Sequence, residues 1–443
     1  MDTAGGEAPI RRELVDTVLR EMGIVDMSQS PIRAIARVAS RVEQASGVEF
    51  ISMVMGIPGL PPSEIAIEAE IEALRAGVAQ SYPPLDGIPS LKQEVSRFVK
   101  NFIGVEVSPE GCLPCVGSMQ GGMALFMLVN RMVKGRDRVL FIDPGFPVQK
   151  AQLRALGFGF DTFDVYNFRG EKLRERLEEV LRKGRTSAIL YSNPNNPSWI
   201  CMTEEELRTI GELSKLYDVP VIEDLAYFAM DFREDLSQPG VPPFQATVAR
   251  YTDNWLMLLS SSKSFSYAGQ RIGCMIVSDV LAKREFSELS SFFPSSILSQ
   301  ALLYGVMTVL SSGVAAAPQH GFAAILKAAN DGEYDFVADV REYGRRAAEM
   351  KRIFTENGFE IVYDQDMDRP LADGFYFTVA YPGMGGGELL RELLEYGISA
   401  ISLGATGSER TDGLRACVSH VYPRQFPLLE ERLRAFNARH AAR

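Results

Sequence analysis

Residues 186–222 read TSAILYSNPNNPSWICMTEEELRTIGELSKLYDVPVI. The stretch opens on a short apolar run, Thr186 to Tyr191, and ends on a second, Val219 to Ile222. Between them Thr203 is followed three positions on by Glu206, the reciprocal side-chain pattern that starts a helix. Runs this short and this evenly apolar suit strands buried on both faces. Strand, capped helix, strand, with no hairpin turn between, is a parallel pair with its crossover.

The pattern repeats on both sides. Upstream, CLPCVG predicts a strand and Gly121 to Lys134 a helix, then Arg138 to Ile142 a strand and Pro147 to Leu156 a helix. Downstream, Trp255 to Leu259 and Ile272 to Val277 read as strands. The expected fold class is α/β, a large domain with a mainly parallel sheet of the seven-stranded type, flanked by helices. Nearer the start, Ser30-Pro31 opens a helix that Gly47 closes, and Phe50 to Met55 is strand-like. Ser63 caps a second helix ended by Gly77, and Ser90 with Gln93 reads as the capping box of a third, ended near Gly104. After Val277 the texture changes. A long helical stretch leads into FEIVYD, FYFTVAY and GLRACVS, separated by helices, as in a smaller α+β domain. The expected division is 1–57 as an N-terminal arm joining the small domain, 58–305 as the large domain, and 306–443 as the C-terminal small domain.

Composition narrows the function. A net charge of -11 argues against nucleic acid and acidic membrane surfaces as partners. The start, MDTAGGEAPIRREL, has no apolar signal core, so a cytoplasmic location is expected. Five cysteines make no disulfide scaffold, and Cys112 and Cys115 read as core thiols near a strand, with no metal expected. Leu289 to Leu326 contains no Asp, Glu, Lys or Arg, but its serines, glutamines and prolines fit a buried or subunit-interface helix better than a membrane span. Only three histidines are present, two of them in the last 24 residues, so a histidine triad or multi-histidine metal site has little to build on. Lysine with an organic cofactor is another solution.

In α/β sheets ligands bind beyond the carboxyl ends of the strands. Polar groups fall there: Asp224 after VIED begins, Lys263 after LLSSS, Asn196 after AILYSNPN, and Ser118 after CVG. Asp224 follows an apolar strand, so its carboxylate is expected buried and in need of a partner, with Glu223 facing the other way. Apolar residues and serines around Lys263 would desolvate its amine and lower its pKa. Gly117-Ser118-Met119-Gln120 precedes a helix, where N–H groups favour an anion. Arg415 sits in a strand-like run where a lone guanidinium is costly.

Seven stretches, in order, resemble the class I/II aminotransferases of pyridoxal-5′-phosphate (PLP) fold type I, the aspartate aminotransferase-like group. They are YPPLDGIPSLK (82–92), GSMQGG (117–122), DPGFP (143–147), SNPNNPS (192–198), VIEDLAY (221–227), SSSKSFSYAGQRIG (260–273) and GLRACV (413–418). The resemblance implies PLP held by Lys263 as a Schiff base, with the same lysine moving a proton between the substrate Cα and the cofactor C4′. It implies Asp224 on the pyridine nitrogen, and Tyr227 and Asn196 on the ring 3′-oxygen, though Asn196 is also turn chemistry. Ser118, Met119, Gln120, Ser260 and Arg271 would hold the phosphate. Phe146 would stack on the ring, or is simply a core phenylalanine. Tyr82 would reach the phosphate from the neighbouring subunit of a homodimer, or packs before a proline turn. Arg415 would clamp the substrate α-carboxylate, with Gly56 and Asn196 at the same end. The sequence departs from the family at Ser198-Trp199, where Thr-Gly is usual.

The reaction so implied is transamination, an amino group passing between an amino acid and a 2-oxo acid. Dicarboxylate-specific members of one subgroup use a second arginine downstream of the lysine. The corresponding run here, FFPSSILSQ (292–300), has no charge, so a neutral or aromatic donor is expected. A PLP-dependent C–S β-lyase would share every residue named. A non-catalytic PLP-binding regulator module would carry a DNA-binding domain, and the segment before Gly56 is short and not notably basic. A purely structural α/β protein leaves Lys263, Asp224 and Arg271 unexplained.

Overall fold

The computed structural model describes residues 7–441, so the first six residues of the N-terminal arm and the last two of the C-terminal segment lie outside the described residues. The chain divides into two compact units. One comprises residues 60–195 and 201–340, the other residues 1–59, 196–200 and 341–443.

The first unit is built on a seven-stranded sheet. Its strands are β1 (Cys112–Cys115), β2 (Arg138–Asp143), β3 (Gly159–Asp164), β4 (Thr186–Ser192), β5 (Val221–Leu225), β6 (Trp255–Ser260) and β7 (Gly273–Val277). Their spatial order is β1-β7-β6-β5-β4-β2-β3. Pairs from β6 to β3 are parallel, and β7 runs antiparallel to both β6 and β1. Thus β1 points the same way as the five parallel strands, and the carboxyl ends of six strands share one edge. β7 enters at that edge, with Gly273 opposite both Ser260 and Cys115. Val139 to Ile142, Ala188 to Tyr191 and Leu256 to Leu259 are buried throughout, as a doubly covered sheet requires.

Local signals behave as their chemistry dictates. Thr203 and Glu206 form the reciprocal capping box of the helix Glu204–Tyr217, worth about 1 kcal/mol. Ser63 caps Glu64–Arg75 through the Ile65 N–H. Other expectations are corrected. Ser90 and Gln93 form no capping box: the helix starts at Pro89 after Ile88, because proline at the first position needs no N–H partner. Likewise Pro31, not Ser30, precedes the helix Ile32–Ser46, and the Ser30 hydroxyl turns back to the Asp26 carbonyl. Of the Phe50 to Met55 run only Ile51–Ser52 pairs as a strand. The helix expected from Gly121 starts four residues earlier, at Gly117, and runs to Val129. β3 was not expected, because GFDTFD has no apolar run.

The uncharged stretch forms Leu298–Gln300, a wide π-helical turn at Ala301–Met307, Thr308–Leu310, and then most of Ala316–Asn330. The last helix packs on Glu64–Arg75 and Pro89–Phe98, which draws residues 306–340 into the sheet unit, past the expected boundary at 305. Among the described residues no helix is long and apolar enough to cross a membrane.

In the second unit a four-stranded antiparallel sheet orders Ile401–Ser402, Leu414–Cys417, Tyr376–Ala380 and Glu360–Ile361. The N-terminal segment joins this unit through Ile51–Ser52, which pairs with Ile398–Ser399 as a separate two-stranded parallel sheet. An ion pair between Asp16 and Arg391 ties its first helix, Arg12–Glu21, to Gly386–Glu395.

Candidate active site

At the shared sheet edge the chain leaves β1 through Gly117, whose φ of 64° is left-handed. That glycine opens the helix Gly117–Val129, so Ser118 and Met119 lie in its first turn, where N–H groups lack helical partners. A Cβ on Gly117 would lie 2.6 Å from Nη2 of Arg271. The guanidinium therefore rests directly on the glycine. Arg271 is exposed, itself left-handed at φ 53°, and braced by donating to the Ala268 carbonyl at 2.9 Å. Gly273 packs against the same turn: its Cβ would fall 3.5 Å from the Gly117 Cα and the Ser118 nitrogen. Ser260 is buried opposite Gly273, its hydroxyl accepting from the Ser262 N–H at 3.1 Å. A helix N-terminus, an arginine fork and serine hydroxyls make an anion cradle. The Gln120 side chain is turned aside, accepting from the Val116 N–H and donating to the Ser311 hydroxyl.

Asp224, on β5 at the same edge, is buried. Its carboxylate accepts from Gln149 Nε2 at 2.8 Å and from the Ala226 N–H at 3.2 Å, two neutral donors, with no cation partner among the described residues. Burial pushes its pKa up to about 6. Gln149 belongs to the helix Pro147–Ala155, which half-buried Phe146 precedes. Tyr227 is buried in the turn after β5. The neighbouring Phe228 carbonyl accepts from the Ser264 hydroxyl at 2.7 Å, tying the lysine loop to this turn. Lys263 is half-buried between Ser262 and Ser264, both buried. The serines around it thus fix the loop by hydrogen bonds. Glu223 faces the other way, accepting from Tyr191 and Thr247, with its pKa raised by burial to about 7. Tyr82 is 95% exposed.

These residues fit PLP on structural grounds. A buried carboxylate with only neutral donors calls for a cation, which a protonated pyridine nitrogen would supply. The cradle at Gly117 and Arg271 has the donors a phosphate needs.

The second unit holds a different cluster. Arg415 is 1% exposed on the strand Leu414–Cys417. Its Nη2 donates to the Val54 carbonyl and its Nη1 to Asn196 Oδ1 at 3.3 Å. Among the described residues its Nε is buried with no hydrogen-bond partner, and no carboxylate pairs with the group. The guanidinium lies 4.5 Å from the Tyr376 ring centre. Gly56 is where this cluster needs no side chain, since a Cβ there would lie 1.9 Å from the Tyr376 hydroxyl. Trp199 packs edge to face on Tyr376 at 6.1 Å and has a φ of 65°, a conformation that costs a side-chain-bearing residue about 1–2 kcal/mol. Gln149 and Tyr376 were missed from sequence. Gln149 lies in the first turn after Phe146, a weak signal; Tyr376 is one of three aromatics in FYFTVAY, with nothing to single it out.

Cys112 and Cys115 are buried within β1, and burial pushes both thiols up to about 12. No cluster of metal-ligating side chains occurs among the described residues.

A mainly parallel sheet whose edge carries a lysine, a buried acid and an anion cradle suits an enzyme that holds a phosphorylated aldehyde. The family model for aminotransferase class I and II matches residues 50–421, and the chain belongs to that family, whose members use PLP. A probable aspartate/prephenate aminotransferase of Thermus aquaticus is 27% identical over 292 residues, 62% of this chain and 70% of that protein. A glutamate-pyruvate aminotransferase of Escherichia coli is 28% identical over 268 residues, 58% of this chain and 62% of that protein. Among solved structures, an alanine aminotransferase from Pyrococcus furiosus superposes with a TM-score of 0.74 at 19% identity, covering 93% of this chain and 97% of that one. The protein is a PLP-dependent aminotransferase, with a fold common to these neighbours.

Proposed function

We propose that this enzyme transfers the amino group of a neutral or aromatic amino acid to a 2-oxo acid, with the two clusters dividing the task. PLP, when bound, supplies an aldehyde for the amine and a ring that accepts electrons from the substrate. Asp224 would face the ring nitrogen and keep it protonated. Ser118, Met119, Ser260 and Arg271 would hold the phosphate, with Gln120 contributing backbone rather than its engaged side chain. Tyr227 would donate to the ring oxygen, a role the family resemblance also gives Asn196, and Phe146 would stack on the ring. Lys263 Nζ would anchor the cofactor and move the proton held at the substrate Cα.

The observation that carries the substrate assignment is Arg415. A buried guanidinium with neutral acceptors alone is an incomplete ion pair, and a free Nε–H is half of a bidentate carboxylate fork. The substrate's α-carboxylate completes it. Gly56 leaves the Tyr376 ring room beneath the guanidinium.

Support for a neutral donor comes from residues 292–300, which lack any cation. The relatives named for aspartate and glutamate point the other way, so the donor decides the question. A donor–acceptor activity matrix with purified protein and PLP is the test. Activity with aspartate or glutamate alone sinks the neutral-donor reading.

We further propose a homodimer in the cytoplasm, with Tyr82 reaching the partner's phosphate. Tyr82, Phe292, Tyr304 and Val309 are all exposed large side chains of the sheet unit, of the kind a second copy would cover. Five free, buried cysteines suit a reducing compartment. Sedimentation of Tyr82→Ala mixed with Lys263→Ala should give dimers with part of the activity restored. A strictly monomeric protein removes the cross-subunit role.

A further inference from the structure

We propose that Trp199 is a positioning residue for substrate binding: its indole fixes Tyr376, and through it the face on which Arg415 receives a carboxylate. The inference rests on Arg415 as the carboxylate site.

Four observations converge. Trp199 is fully buried although its backbone is left-handed, at φ 65°. A residue retained in such a conformation is over-determined by its surroundings, and such positions gather at ligand sites. The indole also lies flush on Gly374, where a Cβ would fall 2.0 Å from its Cε2 and 2.2 Å from its Nε1. Next, its edge-to-face contact at 6.1 Å reaches Tyr376, the ring that carries the Arg415 guanidinium at 4.5 Å. Finally, Tyr376 is pinned at its other end, because its hydroxyl occupies the space that any side chain at residue 56 would fill. The stack Gly374, Trp199, Tyr376, Arg415 therefore has glycine on one side and Gly56 at the tyrosine tip, and no slack between.

Trp199 acts on the same guanidinium by a second route. Asn196, which accepts from Nη1 of Arg415, stands three residues before it in the same short segment. An arginine side chain has several rotatable bonds, and aiming it beforehand removes an ordering cost that each carboxylate would otherwise meet. Filling a core explains burial of an indole. It does not explain why a left-handed position carries the largest side chain, aimed at the ring beneath an arginine that lacks a carboxylate.

The test uses holoenzyme and two probes, 3-phenylpropionate and its uncharged amide, as inhibitors. Trp199→Leu should raise KM for the amino donor and the inhibition constant of the carboxylate by at least about tenfold, with kcat within about threefold. Inhibition by the amide should not change, and Trp199→Phe should recover most of the loss. Wild-type KM and carboxylate affinity in Trp199→Leu overturn the proposal, whatever its melting temperature. Should that variant not fold, fluorescence decides. The chain has two tryptophans, so Trp255→Phe leaves Trp199 as sole emitter. Adding 3-phenylpropionate to that holoenzyme should change its emission, and unchanged emission at saturation overturns the proposal. Arg415→Gln separates the two readings. A raised KM there with an unaltered Trp199→Leu sinks only the role of Trp199, while an unchanged KM in Arg415→Gln sinks the carboxylate site itself.

Discussion

The sheet edge and the Arg415 cluster hold charge in opposite ways. At the edge, backbone does the holding. Arg271 is exposed and rests on a glycine, Ser260 and Ser264 fasten loops, and Asp224 leans on an amide and a main-chain N–H. In the other unit side-chain packing does it, with a fully buried guanidinium on an aromatic ring and Trp199 behind that ring. The first design suits a cofactor that stays, because donors fixed by main chain need no reordering between turnovers. The second suits a ligand that comes and goes. Its charge waits half-satisfied, so each arriving carboxylate gains a strong partner.

The sharpest way to break this comparison is Lys263→Ala. If the edge is the seat of chemistry, the visible absorption of the bound cofactor changes and activity falls by about a thousandfold or more. Retained activity with an unchanged spectrum ends the assignment. Next in size is Arg415→Lys. Lysine keeps the charge but loses the planar fork and the ring contact, so KM for the donor should rise about a hundredfold with the cofactor spectrum intact. A loss of cofactor instead would mean that the clusters do not divide the work as argued.

What was legible in the sequence follows the same line. Backbone-held features leave short, ordered strings. GSMQGG holds a helix start, SSSKS holds Ser260 with the Ser262 N–H it accepts from, and Asp224 stands two residues before the Ala226 N–H, while Thr203 with Glu206 marks a helix start outright. Glycine hid one boundary: four residues before Gly121 belong to the helix, since three glycines in GSMQGG look like loop. Packing-held features leave no string. Gly56, Trp199, the pair Gly374 and Tyr376, and Arg415 come from four separate places in the chain, and only their contacts show that Tyr376 matters. Gln149 was invisible because its partner is 75 residues away. The end of the sheet unit at Val340 follows from tertiary contacts of Ala316–Asn330, which no local composition change announces.

Asp224 offers a test by pH. Its pKa is raised to about 6 by burial, so the folded state holds its proton more tightly than the unfolded chain does. For the cofactor-free protein this group's contribution is therefore neutral in acid. It becomes destabilising as pH rises from the ordinary carboxylate range to about 6, and levels off above that. The shift corresponds to about 3 kcal/mol at most. Cofactor-free Asp224→Asn should thus melt higher than cofactor-free wild type at neutral pH, and the two should converge toward about pH 4. Glu223 titrates near the same range in both proteins, and the difference between them removes it. With PLP bound the order at neutral pH should reverse, because wild type then gains its cation. Equal melting curves without cofactor would mean that Asp224 is not the strained acid of the edge.

The smallest expected effect falls on the glycine beneath the arginine. Gly117→Ala puts a methyl 2.6 Å from Nη2 of Arg271 and asks a left-handed backbone to carry a side chain. Arg271 is exposed and can swing away, so the fold should lose only about 1–2 kcal/mol. The cradle loses more in proportion, because its arginine no longer lies over the first turn of the helix. Affinity for PLP should fall about tenfold, while affinity for pyridoxal, which lacks the phosphate, should hardly move. Arg271→Lys should narrow the same gap between the two ligands without the backbone cost. If both ligands weaken equally in Gly117→Ala, the glycine serves the helix alone and the phosphate is held elsewhere on the edge. If only the phosphorylated ligand weakens, main-chain placement of charge, the feature that separates this region from the packed Arg415 cluster, acts directly on the bound group.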